Sequence, residues 1–274
     1  MNEQSFEFRG IPVHYVQGGN VGRPILMIHG SGPGASTQGN WRRVLEPLAK
    51  HHQVFAMDLI GFGKSGRKPA PPYFDFELWI DQCLEMIRAM PAGPIGVIGH
   101  SISGALALKL AAREPRITHV MTTATVGAVF PIADETLRTW TFPRNRDELR
   151  QAAEGLIHDR ALIDEAYLSG REAVLFSGDY ETYFSKMFEG EKRRYIDQAV
   201  LTAEELAKVR CEVLMVHGRE DRGFPAEPLT LTVARSIPHA DVVLLGRCSH
   251  SVAFEHPDKF MALALSFFGG SGPV

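Results

Sequence analysis

Several things are scarce in this chain, and each shortage excludes a class of protein. Cysteine occurs three times in 274 residues, at Cys83, Cys211 and Cys248. An odd, sparse set is a poor disulfide framework and cannot furnish a Cys-rich zinc site. Reduced thiols in the cytoplasm are the expectation. Neither sign of charge is in excess, with 29 Lys+Arg against 32 Asp+Glu and a net charge of −3. Nothing here would neutralise a row of phosphates, so no nucleic-acid partner is expected. No apolar run is long enough to span a bilayer. The segment Met1–Glu7 lacks the basic and apolar regions of a secretory signal. No metal and no cofactor is expected.

What is plentiful is glycine and proline, 26 and 17 residues, bunched beside short apolar runs. Those runs alternate with helical patterns. Ser5–Arg9 and Val13–Gln17 read as a hairpin around Gly10 and Pro12. Ile25–Ile28, Val54–Met57, Ile95–Ile98, Val120–Thr123, Val213–Val216 and Val242–Leu245 read as strands, mostly buried. Trp41–Lys50, Phe76–Met90, Ala105–Arg113 and Pro257–Phe268 read as helices; in the second, Trp79, Cys83, Ile87 and Met90 share a face. Strand–helix alternation predicts an α/β fold: a mostly parallel eight-stranded sheet with helices on both faces. The rhythm breaks between Val126 and Val209, where only charged, helix-like segments such as Arg146–Ile157 and Glu191–Leu206 occur. The expected organisation is a core over 1–126, a helical lid over 127–206, and a second part of the core over 207–274. The tail 269–273 is expected to be disordered.

Three loops carry the chemistry. After strand Ile95–Ile98 comes Gly99-His100-Ser101-Ile102-Ser103-Gly104, close to the G-x-S-x-G turn that exposes a serine between strand and helix. A plain turn with an incidental serine is the competing reading. A serine hydroxyl needs a base, so the test is whether an acid and a histidine follow in the order Ser, Asp, His. Asp221 lies just past Val213–Val216, with Glu220 as the alternative acid. His250 lies past Val242–Leu245. Loops at the carboxyl ends of parallel strands converge, so Ser101, Asp221 and His250 can form one site. His29-Gly30-Ser31-Gly32-Pro33-Gly34 follows the third strand; amides of Ser31 and Ile102 would there form an oxyanion hole, and a tight turn that needs glycine is the competing reading. The cluster Gly61-Phe62-Gly63-Lys64-Ser65-Gly66 mimics a dinucleotide fingerprint. Arg67–Pro72 follows it and cannot open the required helix, so the cluster reads as a rigid loop at the rim of the site.

With these pieces in place the chain resembles the α/β-hydrolase superfamily along nearly its whole length. More narrowly it resembles the meta-cleavage-product hydrolases, which cut a carbon–carbon bond in ring-opened catechols. The narrower likeness rests on His29–Ala35, Gly39–Arg42, Asp58–Ser65, His217–Asp221, Cys248–His250 and Glu255–Pro257. It implies an α/β-hydrolase fold with Ser101 as nucleophile, His250 as base and proton shuttle, and Asp221 orienting His250. It implies the Ser31 and Ile102 amides as oxyanion hole, with Gly30 and Gly32 shaping that loop and Asn40 holding the dienoate end of a small acidic substrate. A lid arginine binds the substrate carboxylate in that family, and Lys192, Arg193 or Arg194 is the stretch expected to supply it; an exposed basic helix face is the competing reading. Two departures stand out. His100 replaces the usual Asn before the nucleophile, as in many esterases, and Ser251 replaces the usual Trp after the histidine, leaving Ser251 to face the substrate.

The resulting expectation is Ser-His-Asp hydrolysis of a carbon–carbon bond in a vinylogous 1,5-diketo acid. A carboxylesterase or lactonase with the same triad is the alternative. Dehalogenase and epoxide hydrolase chemistry would need a carboxylate where Ser101 stands. A non-catalytic binding protein would not need the ordered acid and base. Phe130, Trp140, Phe142, Phe176 and Tyr183 are candidates for the acyl pocket or for the lid's own core. A homodimer contact is expected at the final strand or the lid.

Overall fold

The computed structural model describes residues 1–269. Eight strands form one sheet: β1 (Asn2–Phe8), β2 (Ile11–Gly18), β3 (Pro24–Ile28), β4 (Gln53–Met57), β5 (Ile95–His100), β6 (Ile117–Thr123), β7 (Glu212–Gly218) and β8 (Ala240–Leu245). Their spatial order is β1-β2-β4-β3-β5-β6-β7-β8. The β1–β2 and β2–β4 pairs are antiparallel, and every later pair is parallel.

Strand alternation divides the core into two layers. Leu26, Ile28, Phe55, Met57 and Val97 point to the layer covered by α3 (Phe76–Ala89) and α4 (Ile102–Ala111). Ile25, Met27, Val54, Ala56 and Ile98 point to the opposite layer, under α1 (Thr37–Trp41), α2 (Leu45–Ala49) and α13 (Pro257–Gly269). Asp75 caps α3 by accepting from the Leu78 amide at 3.0 Å. One helix expected over Trp41–Lys50 is instead α1 and α2, broken at Arg42–Val44. Pro47 explains the break: it lacks an N–H and clashes with the carbonyl four residues back, so it is tolerated only in a first turn.

Between β6 and β7 the chain is helical: α5 (Asp134–Thr139), α6 (Arg146–Glu154), a 3-10 turn over Arg160–Leu162, α7 (Glu165–Leu175), α8 (Tyr180–Met187), α9 (Arg193–Ala199) and α10 (Ala203–Lys208). The expected segment Glu191–Leu206 is divided because Thr202 starts a new helix. Its hydroxyl accepts from the Glu205 amide, and the Glu205 carboxylate accepts from the Thr202 amide, a reciprocal cap. Lys109, buried on α4, donates to both Glu205 oxygens at 2.7 and 2.8 Å and pins the end of the insertion to the core. The last elements are α11 (Thr230–Arg235) between β7 and β8, and α12 (Val252–Glu255) just before α13. Of the tail expected to be disordered, Gly269 ends α13, and 270–273 lie outside the described residues. No helix among the described residues is long and apolar enough to cross a membrane.

Candidate active site

Buried along its whole length, β5 hands the chain directly to α4. Ser101 is the single residue between them, with φ +60° and ψ −125°. A left-handed φ on a residue with a Cβ costs on the order of 1–3 kcal/mol. The turn offsets that strain. The Ser101 amide donates to the Thr123 carbonyl at 2.8 Å, and the Ser101 carbonyl accepts from Gly104 and Val126 at 2.9 and 3.0 Å. A Cβ at Gly99 would lie 2.1 Å from the Ser103 carbonyl oxygen, so only glycine fits. Ser103 donates its hydroxyl to the His29 carbonyl at 2.6 Å and ties the turn to the β3 loop.

Ser101, His250 and Asp221 form one hydrogen-bonded chain. Ser101 Oγ is 2.9 Å from His250 Nε2, and His250 Nδ1 is 2.7 Å from Asp221 Oδ2. With Nδ1–H donating to the carboxylate, Nε2 is left to accept the serine proton. Burial alone would raise the Asp221 pKa. The His250 charge and hydrogen bonds from His217 and His250 outweigh it and push the carboxyl down to about 2. Asp221 also accepts from the Phe224 amide at 3.0 Å. His217 holds it from the other side, with Nε2 at 3.2 Å and Nδ1 at 2.7 Å from the Thr230 hydroxyl. Glu220, the alternative acid, turns away and accepts from the Cys248 amide at 3.0 Å.

Glu255 fixes the His250 loop from behind. Its carboxylate accepts from the Ser249 amide at 2.8 Å and, with the other oxygen, from the His158 amide at 2.7 Å. Burial pushes its pKa up. Two rings flank His250: Phe224 at 4.5 Å and His100 at 4.9 Å between centroids.

The glycine loop after β3, expected to form the oxyanion hole, lies against Ser101. A Cβ on Gly30 would come within 3.1 Å of Ser101 Cβ. Ile102 is the first residue of α4, so its N–H has no acceptor within the helix. Ser31 is buried, and its Oγ accepts from Trp140 Nε1 at 2.9 Å. Gly32 faces Thr139 and Leu156 of the helical insertion. Trp140 stacks on Phe188, and Phe130 packs on Phe224. Phe142 packs on Phe176 and Phe184 within the insertion, Tyr183 packs on Tyr73, and Phe176 is exposed.

Asn40, His100 and Ser251 line a small cavity of about 10 Å³ together with Arg171 of α7. Asn40 Oδ1 and Arg171 Nε are buried there without partners. Arg171 donates through Nη1 to the Pro33 carbonyl at 2.5 Å. His100 is fixed by Thr123 Oγ1 at 3.0 Å. Burial, and His250 beside it, hold its pKa well below the ordinary histidine value, so the ring is neutral at neutral pH.

Lys192, Arg193 and Arg194 are not brought into this cavity. Lys192 donates to the Phe188 carbonyl, Arg193 to the Phe130 carbonyl at 2.8 Å, and Arg194 to the Glu189 carbonyl and the Tyr195 hydroxyl. Each thus bonds a carbonyl of the insertion or of the segment leading into it, and Arg193 also keeps Nη1 buried without a partner. Sequence reasoning missed Arg171, whose only signal is its position four residues after Tyr167, the ring its guanidinium covers at 5.0 Å. It also missed His217 and Glu255, whose roles depend on contacts between separate loops. The cluster Gly61–Gly66 wraps a buried carboxylate. Asp58 accepts from the Lys64 and Thr37 amides at 2.9 and 2.6 Å, and Gly63 has no room for a side chain against it. Among the described residues no group of three or more His, Cys, Asp or Glu is arranged to hold a metal ion.

Comparison with known proteins identifies the family and the fold. The alpha/beta hydrolase family matches residues 25–263. A 2-hydroxymuconate semialdehyde hydrolase of a Pseudomonas species is 31% identical over 248 residues, 90% of this chain and 87% of that protein. A meta-cleavage product hydrolase from Pseudomonas fluorescens has the same fold with a TM-score of 0.91 at 28% identity, covering 97% of each chain. A 2-hydroxy-6-oxo-6-phenylhexa-2,4-dienoate hydrolase from a Rhodococcus species gives 0.89 at 26% identity, covering 98% of this chain and 99% of that one. A hydrogen-bonded Ser–His–Asp chain at the strand ends, a glycine loop after β3 and relatives matched over about nine-tenths of the chain or more lead to one conclusion: the chain belongs to the alpha/beta hydrolase family, in its branch of meta-cleavage-product hydrolases.

Proposed function

We propose that this enzyme hydrolyses a carbon–carbon bond in a vinylogous 1,5-diketo acid, with Ser101 as nucleophile, His250 as proton shuttle and Asp221 as the orienting acid. The observation that carries the reading is the unbroken chain Ser101–His250–Asp221 beside a cavity whose cation, Arg171, has an unspent N–H. Arg171 takes the substrate carboxylate in a charge-assisted hydrogen bond. Asn40 takes the neighbouring enol hydroxyl. The enol first becomes a ketone as one proton moves from oxygen to carbon. Ser101 Oγ then adds to the distal carbonyl while His250 takes its proton. The resulting oxyanion is received by the Ser31 and Ile102 amides, which act before any reorganisation. The bond beside that carbonyl breaks, leaving the acyl group as an ester on Ser101, while the electron pair passes through the enoate to the 2-oxo oxygen, which takes the proton held by His250 and gives a shorter 2-hydroxydienoate. Water, giving its proton to His250, then cleaves the ester to a carboxylic acid and restores Ser101.

Trp140, bonded to Ser31, and Phe224, against His250 and packed on Phe130, are the proposed neighbours of the substrate's acyl side. The helical insertion acts as the lid of the proposed division 1–126, 127–206 and 207–274. Three buried free thiols suit a reducing compartment, and the cytoplasm is the proposed location. A homodimer through β8 or the lid is the proposed assembly.

The deciding experiment offers the enzyme a yellow ring-fission dienoate and, separately, a p-nitrophenyl ester. Bleaching of the dienoate at the higher kcat/KM is expected, and Ser101→Ala should end it with the fold intact. Rapid ester turnover with an untouched dienoate would instead establish the esterase or lactonase reading, to which His100 beside the nucleophile gives its weight.

A further inference from the structure

Of the nine side-chain polar atoms buried without partners among the described residues, five share one side of the molecule, and the other four are on His52, Arg146, Tyr180 and Arg193. Thr37 Oγ1, Asn40 Oδ1, Trp41 Nε1, Arg171 Nε and His14 Nε2 all belong to residues lining two neighbouring cavities. An unpaired buried polar group is costly, so such a concentration marks surface built to meet something else. The inner cavity is the one beside His100 and Ser251. The outer cavity, of about 380 Å³, lies between the Ser36–Arg42 segment, the Asp58–Lys64 loop and α7. Gly39, Tyr167 and Arg171 line both.

The charges of the outer cavity are unequal. Its carboxylate, Asp58, is already spent on His14 at 2.9 Å and on two backbone amides. Lys64 is paired with Glu3 at the surface. Arg42 makes no ion pair among the described residues. Its guanidinium rests over the Phe254 and Tyr167 rings at 4.9 and 5.7 Å, which preorganises a cation without neutralising it. The remaining field at the rim and at the shared wall is positive.

We propose that the outer cavity is the vestibule that admits a small organic carboxylate, Arg42 receiving the anionic end at the rim and Arg171 passing it to Asn40 within. The vestibule gives the Asp58–Lys64 loop a purpose that its phosphate-like glycine pattern obscures: it is a stiff wall. The inference rests on the hydrolase reading for its choice of ligand, and its test is arranged so that the two fail separately.

Gly170 supplies the test. It is a helical glycine of α7, and a Cβ there would meet only Arg42 Nη1, at 3.9 Å. Gly170→Leu should therefore fold and fill the vestibule. Two rates are measured: kcat/KM for the dienoate, and the second-order rate at which a neutral fluorophosphonate labels Ser101. Both are expected to fall about tenfold or more, with kcat within about twofold of wild type, because admission and not chemistry is obstructed. Arg42→Gln should lower kcat/KM for the dienoate about tenfold at low salt, leave labelling by the neutral reagent unchanged, and be rescued by Arg42→Lys. Arg138→Trp fills the rim of a different cavity, beside His158 and Ser249, and should change neither rate. Unchanged rates in Gly170→Leu, or slowing by Arg138→Trp in its place, overturn the vestibule. Intact labelling with no dienoate turnover in the wild type would count against the carbon–carbon reading alone.

Discussion

The triad side of the site and its recognition side are satisfied to different degrees. On the triad side, Ser101, His250 and Asp221 are each hydrogen-bonded, and His217, Phe224 and Glu255 hold the loops behind them. On the recognition side, Thr37, Asn40 and Arg171 keep polar atoms buried and unpaired. The first arrangement is complete without a ligand, as electrostatic preorganisation requires. The second is complete only when something donates to or accepts from it. In the proposed function, reaction and recognition would thus fall to separate elements, strand ends for one and a helix with the Ser36–Arg42 segment for the other.

Changes on the two sides should therefore separate in kinetics. The largest effect is expected from Asp221→Asn, which reverses the hydrogen bond that fixes the His250 tautomer. A loss of about 10⁴-fold in kcat, with KM nearly unchanged, would be read in steady-state assays of the dienoate; a loss confined to KM would erase the division. Next comes Arg171→Met, expected to raise KM about 30-fold, or about 2 kcal/mol, with kcat within a few-fold. An equal fall in kcat would place Arg171 in the reaction and not in recognition.

His100 stands between the two sides and is tested through stability. Its folded pKa is depressed by burial and by His250. Below the ordinary histidine value of about 6.5, the unfolded chain binds a proton that the folded chain refuses. Stability is therefore present above that pH and lost as pH falls. His100→Gln should remove up to about 1.4 kcal/mol per pH unit from that loss between pH 6 and 5, measured by urea unfolding. An unaltered slope would mean that the ring is protonated in the folded site. The smallest effects belong to Lys192→Ala and Arg194→Ala, which should leave KM within about twofold and stability within about 1 kcal/mol. A large rise in KM from either would return the carboxylate to that stretch.

What was legible in the sequence follows the same division. Ser101, Asp221 and His250 each lie a few residues past an apolar run, and parallel strands bring their carboxyl ends together, so local pattern plus topology locates all three. The Pro47 break was also written in the chain, since proline forbids a helix interior. Arg171 was not legible. It sits on a helix whose angle to the sheet is set by packing of Tyr167, Leu168 and Leu175, and no local spacing encodes that angle. The basic run at Lys192–Arg194 is hard to read for a related reason: carbonyls of Phe188, Phe130 and Glu189 accept from those side chains, while Arg193 keeps Nη1 buried without a partner, and carbonyls leave no trace in a sequence.

The Glu255 carboxylate has a consequence for hydrogen exchange. One of its oxygens holds the Ser249 amide and the other the His158 amide, so a residue of the histidine loop and a residue of the helical insertion share a single acceptor. Swinging the insertion outward would break one bond and loosen the other. These two amides, distant in sequence, should then exchange with deuterium as one cooperative unit with a common opening free energy, and a ligand that closes the insertion should slow both by the same factor.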